Sequence, residues 1–228
     1  FDKDYLKDYT SVSNKDITYV NDVLWHHKSA FFRVEDTENN FPVFGILGVE
    51  HLAKWGGISN DPKIGKQPQS IKDLLRVIAG KEGGEGATAS DMVNVLGDHY
   101  GSYFFALGYK CRDFGVLQAY HQHYFDDMSG IEFSNGYDGL WGIELETKQI
   151  SWLKKIVVEY LTTMNQSGPI HYLYFDREKR PGRGGGNDDY YNNEEYTTGS
   201  SYFNRALGSP LLISPEYNGQ SELGFKNN

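Results

Sequence analysis

Large apolar side chains recur at every second position along much of this chain, and that recurrence defines its predicted elements. Tyr103, Phe105, Leu107 and Tyr109 alternate with Phe104, Ala106 and Gly108. After a polar break at 110–113, Phe114, Val116, Gln118, Tyr120, Gln122 and Tyr124 share one face of a second run. Successive strand side chains point to opposite faces, so period two predicts two strands, joined as an antiparallel hairpin over 100–125. The clearest strand is 42–55, where Val43, Gly45, Leu47, Val49, Ala53 and Trp55 oppose Phe44, Ile46, Glu50, Leu52 and Lys54. It pairs with a less regular run, 22–34, across a turn at 35–41. A third hairpin covers 140–164, with Trp141, Ile143 and Leu145 against Gly142, Glu144 and Glu146. In its second strand Trp152, Ile156, Val158 and Tyr160 oppose Lys155 and Glu159.

These runs are long. A soluble strand has about five or six residues, whereas a tilted membrane-spanning strand needs roughly 9–11. The connections segregate by length: short turns at 35–41, 110–113 and 148–150, long or medium loops at 56–99, 126–138 and 165–224. That asymmetry is the habit of outer-membrane barrels. Trp152 and Tyr160, roughly 26 Å apart along an extended strand, predict aromatic girdles at the two rims of a lipid-facing belt, with Lys154 snorkelling beside them. The fold class expected is therefore all-β, an antiparallel membrane β-barrel with short helices in its extracellular loops. A closed membrane barrel needs at least about eight strands, so 1–228 reads as a segment of one longer barrel domain.

Inside the first long loop, Ser70 and Asp73 precede Leu74, Leu75, Val77 and Ile78, predicting a capped helix. Ser90 and Asp91 before Met92, Val93, Val95 and Leu96 predict a second. The glycine-rich tract 80–86 has neither the lysine nor the strand-before-helix setting of a phosphate loop and reads as linker.

Composition adds bounds. With 17 Tyr, 13 Phe and 26 Gly in 228 residues, strands and turn-rich loops are favoured over helices. A net charge of −9 argues against nucleic acid as a partner. The single cysteine, Cys111, excludes an intrachain disulfide framework and a multi-cysteine zinc site. No apolar run is long enough for a transmembrane helix. A mean hydropathy of −0.58 is compatible with a barrel, because only alternate strand residues face lipid and polar loops dilute the average.

Candidate chemistry concentrates in the acidic, aromatic tract 187–196. Aromatic faces hold sugar C–H patches and planar acceptors hold hydroxyls, and Asp188, Asp189, Tyr190, Tyr191, Asn192, Asn193 and Tyr196 supply both. The EF-hand spacing for calcium is absent from the tract. His121 and His123 share a face, with His99 and the pair His26–His27 as further histidines; no third ligand at a metal spacing is legible, so no metal or cofactor is assigned. His51, among apolar neighbours, reads as a hydrogen-bonded structural group. Glu144 and Glu146 share a face and could form a glycosidase pair, but pairing with Lys155 or Lys54 is the expected use. No nucleophile elbow, phosphate loop or HExxH helix occurs. Catalysis is not expected.

Several segments, in order, resemble the Wzi-like capsule-assembly proteins of the bacterial outer membrane: Val49–Gly57 (VEHLAKWGG), Asn94–Ser102 (NVLGDHYGS), Asp138–Gly142 (DGLWG), Glu159–Pro169 (EYLTTMNQSGP), Asp189–Gly199 (DYYNNEEYTTG) and Gly208–Leu212 (GSPLL). The resemblance covers most of the chain from about residue 22. It implies a closed outer-membrane barrel acting as a surface lectin that attaches or organises capsular polysaccharide, with outer-membrane lipid and other outer-membrane proteins as partners. Two alternatives differ in class: a soluble or periplasmic all-β carbohydrate-active enzyme, recognised by monodispersity without detergent, and a transport channel, recognised by conductance.

Overall fold

In the computed structural model the described residues are 20–38, 41–92, 95–126 and 128–165, with 168, 171–172, 184–185, 193, 195–196, 201–202 and 205–206. The strands are β1 Val20–Asn21, β2 Leu24–Glu35, β3 Val43–Trp55, β4 Ile58–Ser59, β5 Asp98–Cys111, β6 Gly115–Phe125, β7 Gly139–Thr147 and β8 Lys155–Thr162, followed by the two-residue strands β9 His171–Tyr172, β10 Gly184–Gly185, β11 Ser201–Tyr202 and β12 Arg205–Ala206. Helix α1 is Ile71–Ile78 and α2 is the single turn Met128–Ile131. Six strands form one antiparallel sheet in the order β2-β3-β5-β6-β7-β8. Three further antiparallel pairs, β1–β4, β9–β10 and β11–β12, are short. Among the described residues no helix is long and apolar enough to cross a membrane.

Register sorts side chains onto two unlike faces. Phe32, Leu47, Phe105, His121, Trp141 and Tyr160 lie in one cross-strand row, and Val34, Gly45, Leu107, Ala119, Ile143 and Val158 in the next. This face is apolar and open: Val34, Leu47, Leu107, Ile143 and Val158 are between 56 and 72 % exposed. The opposite face carries Arg33, Glu35, Glu50, Lys110, Gln118, Gln122, Glu144 and Glu159, with charges in pairs such as Lys155–Glu144 at 2.6 Å and Lys110–Glu35 at 2.6 Å. Val43, Leu47, Phe105, Leu107 and Val158 are thus not sealed between two sheets, the arrangement that a soluble sandwich would require.

Loops fold down over the upper, loop-side end of the apolar face. Helix α1 packs Leu74 and Val77 against Ala53, Trp55 and Leu96, and the Lys28 ammonium donates to the Ile78 carbonyl. The helix starts where expected, in a reciprocal cap: Asp73 N donates to Ser70 Oγ at 3.2 Å and Ser70 N to Asp73 Oδ2 at 3.0 Å. Gly56 and Gly57, with φ of 68° and 98°, turn the chain off β3 in a region that L side chains avoid. On the next strands Phe133 covers Tyr103 and His123, with ring centroids 5.4 and 4.4 Å apart.

Three expectations are corrected. The segment 89–92 is a turn, not the start of a second helix, with Asp91 N held by Thr88 Oγ1 at 3.1 Å. The last hairpin turn runs past 150: β8 begins only at Lys155, and Trp152, 83 % exposed, precedes it. Trp152 therefore does not stand on the Ile156–Val158–Tyr160 stripe.

Candidate functional site

The loop end of the polar face is closed by a buried cluster. Lys54 and Asp98 are register partners on β3 and β5, and Lys54 Nζ meets Asp98 Oδ2 at 2.8 Å with both side chains nearly water-free. The Tyr100 hydroxyl donates to the same Asp98 oxygen. The ammonium lies 5.4 Å from the Tyr100 ring centre and 5.2 Å from that of Tyr196, close enough for attraction to both ring faces. Tyr196, 3 % exposed, donates its hydroxyl to the Gly56 carbonyl at 3.1 Å. Next to it Glu195 accepts from Thr88 Oγ1 at 2.9 Å. Asn193 Oδ1 accepts from the backbone N–H groups of Glu195 and Tyr196 at 2.9 and 3.2 Å. A segment far along the chain is thereby fastened to the mouth of the sheet.

Asp91 completes the cluster, accepting from Gly97 N at 3.2 Å. Burial, reinforced by the Glu195 carboxylate, pushes its carboxyl up to about 7 against the opposing pull of the Gly97 N–H. Burial likewise raises the Tyr196 phenol, helped by the carboxylates of Asp91, Asp98 and Glu195. A raised acid holds its proton more tightly folded than unfolded, so its contribution is complete below about pH 4 and is lost as pH rises towards 7. Relative to Asp91→Asn, which keeps the acceptor for Gly97 without the charge, we expect the parent to lose melting temperature as pH rises from 5 to 7. Parallel slopes for the two proteins in thermal melts would remove Asp91 from the account.

The medium loop is wired to the same end. Asn135 Nδ2 donates to the Tyr124 carbonyl at 2.8 Å, and Asn165, just past β8, donates its backbone N–H to Asp138 Oδ2 at 2.9 Å. His123 contacts the Gly130 carbonyl at 3.0 Å.

Of the tract predicted to touch sugar, Asp188, Asp189, Tyr190, Tyr191 and Asn192 lie outside the described residues. Asn193 and Tyr196 are placed, and both act as anchors: one caps the backbone, the other buries its ring. His51 is hydrogen-bonded as expected, its Nε2 2.8 Å from His99 Nδ1, while His99 Nε2 reaches the Leu96 carbonyl at 2.9 Å. His99 is thus committed to His51, apart from His121, which stacks on Trp141 at 3.8 Å. Among the described residues no group of three or more His, Cys, Asp or Glu could hold a metal ion. Glu144 is engaged by Lys155; Glu146 shares its face across from Val116. The sequence reading missed Asp98, Asp91 and Glu195, whose roles depend on register and loop return rather than on any local motif.

No protein-family model, curated protein or solved structure matches the chain.

Proposed function

We propose that this chain belongs to an outer-membrane β-barrel, akin to the Wzi-like capsule-assembly proteins, that binds or organises surface polysaccharide through its loops and performs no catalysis. The carrying observation is the apolar face, open across all six strands of the sheet, with paired charges collected on the other face. In water such a patch is a liability, whereas acyl chains satisfy it. Long connections gather at one end of the strands and fasten to one another there, which is where a barrel meets the cell exterior. The tract 187–196 ends in that fastening at Asn193 and Tyr196, so its other acceptors and rings, Asp188, Asp189, Tyr190, Tyr191 and Asn192, are the first candidates for ligand contact.

The test is Tyr190→Ala combined with Tyr191→Ala in the full-length protein. We expect retention of purified capsular polysaccharide to fall severalfold while heat-dependent electrophoretic mobility, a mark of a folded barrel, stays unchanged. Undiminished retention would take the tract out of the binding site.

A further inference from the structure

We propose that the polar face of the sheet carries its own carbohydrate site, a floor of three aromatic rings, Phe31, Phe104 and Tyr120, that receives a short run of neutral sugars. The proposal takes its ligand class from the reading above but places a second site away from the loop tract.

The rings form a continuous row across the sheet. Phe31 and Phe104 have centroids 6.1 Å apart, and Phe104 and Tyr120 5.8 Å apart. Their strands are not all adjacent: β3 lies between the first two, and there Gly48 is the register partner of both Phe31 and Phe104. A Cβ at Gly48 would come 2.4 Å from the Phe31 ring, and one at Gly142, the partner of Tyr120, 2.1 Å from Tyr120 Cζ. Each outer ring therefore lies down across a glycine of the neighbouring strand. Glycine inside a strand commonly marks such a close approach. The planes of Phe31 and Phe104 stand 62° apart and those of Phe104 and Tyr120 30° apart, so the row is stepped, with Phe31 and Tyr120 lying across their glycines and Phe104 tilted between them; Phe31 is 52 % exposed, and Phe104 and Tyr120 are half-buried.

Polar groups border the row on both sides. Towards the loops stand Glu50, Ser102 and Gln122, the last donating to Ser102 Oγ at 2.9 Å. Towards the turns stand Arg33 and Gln118, and at the β8 end of the Tyr120 register row Glu159 accepts from the Tyr120 hydroxyl. An apolar ligand would strand these groups against hydrocarbon, at a cost. A pyranose has C–H patches for the rings and hydroxyls for carboxylate and amide oxygens at its rim. Charge narrows the choice further. On this face Glu35, Glu50, Glu144, Glu146 and Glu159 outnumber Arg33, Lys110 and Lys155, so a polyanionic glycan is repelled and a neutral one is admitted.

The experiment uses the full-length protein in detergent micelles, with maltoheptaose as neutral probe and an oligogalacturonate of similar length as acidic probe, followed by saturation-transfer NMR and titration. Maltoheptaose should bind and the acidic probe should bind at least tenfold more weakly. Phe104→Leu, which keeps an apolar side chain and loses the ring face, should weaken maltoheptaose roughly tenfold, a difference of about 1.4 kcal/mol, with the melting temperature held close to the parent. Tyr120→Phe, which keeps the ring, should bind within about twofold of the parent. The Tyr190→Ala, Tyr191→Ala protein should bind maltoheptaose as the parent does, because the floor is separate. No binding of maltoheptaose, equal binding by Phe104→Leu, or a preference for the acidic probe would each overturn the floor. Loss of polysaccharide retention in the loop variant would meanwhile leave the loop reading standing, so the two failures are told apart.

Discussion

Lys54→Met should destabilise the folded protein by about 3–5 kcal/mol, the usual penalty for leaving one member of a buried ion pair without its counter-charge. Lys54 and Asp98 face each other across β3 and β5 with almost no water contact, so Asp98 would stay behind as an uncompensated charge. The damage should spread to the loop, because the Lys54 ammonium also sits against the Tyr196 ring; proteolysis within 187–196 should accelerate in the same variant. Converting the partner as well, Lys54→Met with Asp98→Leu, should recover most of the loss, since an apolar pair of similar bulk is often no less stable than a buried ionic one. Urea unfolding in micelles, followed by tryptophan fluorescence, gives both numbers. A single variant within 1 kcal/mol of the parent (~1 kcal/mol being ordinary for an exposed pair) would mean that the pair is wet.

The second large effect separates membrane from water. Val158 lies on the apolar face opposite Ile143, and Val157 on the polar face opposite Glu144. If acyl chains cover the first face, Val158→Arg costs about 2–4 kcal/mol near mid-depth and folding into liposomes suffers accordingly. Val157→Asn, facing the polar side, should fold within a few tenths of the parent. In a soluble protein the same Val158→Arg change, at a position 66 % exposed, would fall within about 0.5 kcal/mol of neutral. Refolding yield and urea midpoint in vesicles decide, and equal tolerance at 157 and 158 would sink the facing assignment together with the barrel.

What the sequence made legible is what is local. Strand β3 begins one residue from its expected start because period two along 42–55 is unbroken, and α1 begins at its cap because Ser70 and Asp73 supply both halves of one box. The failures are failures of range. Nothing near Ser90 reveals that Asp91 is drawn into a buried cluster instead of opening a helix; Gly97 and Glu195, its neighbours there, lie at different distances along the chain. Trp152 kept the period of the β8 stripe by coincidence, while the backbone at 151–153 had not yet joined the ladder, which starts with Thr147 N–H on the Lys154 carbonyl. That Tyr196 buries its ring and holds the Gly56 carbonyl was likewise not legible, because composition cannot distinguish a displayed aromatic from an anchoring one. The aromatic row was hidden for a related reason: Phe31, Phe104 and Tyr120 are scattered in sequence and meet only when three strands take their register. Glycines at alternate strand positions, such as Gly48 and Gly142, were the available clue.

The strand order has a consequence for how the molecule is made. Every pairing in the main sheet joins a strand to the next long strand along the chain, so the structure can grow by successive zippering, each finished edge serving as template for the following segment. Such local wiring keeps contact order low and spares most of the search that slows β-proteins. The longest connection inside the main sheet is the 56–97 excursion between β3 and β5. Its ends are brought together cheaply, since loop entropy rises only by about 0.6 kcal/mol per doubling of length, and the small knot of Trp55, Val77 and Leu96 gives the returning chain something to condense upon before β5 docks.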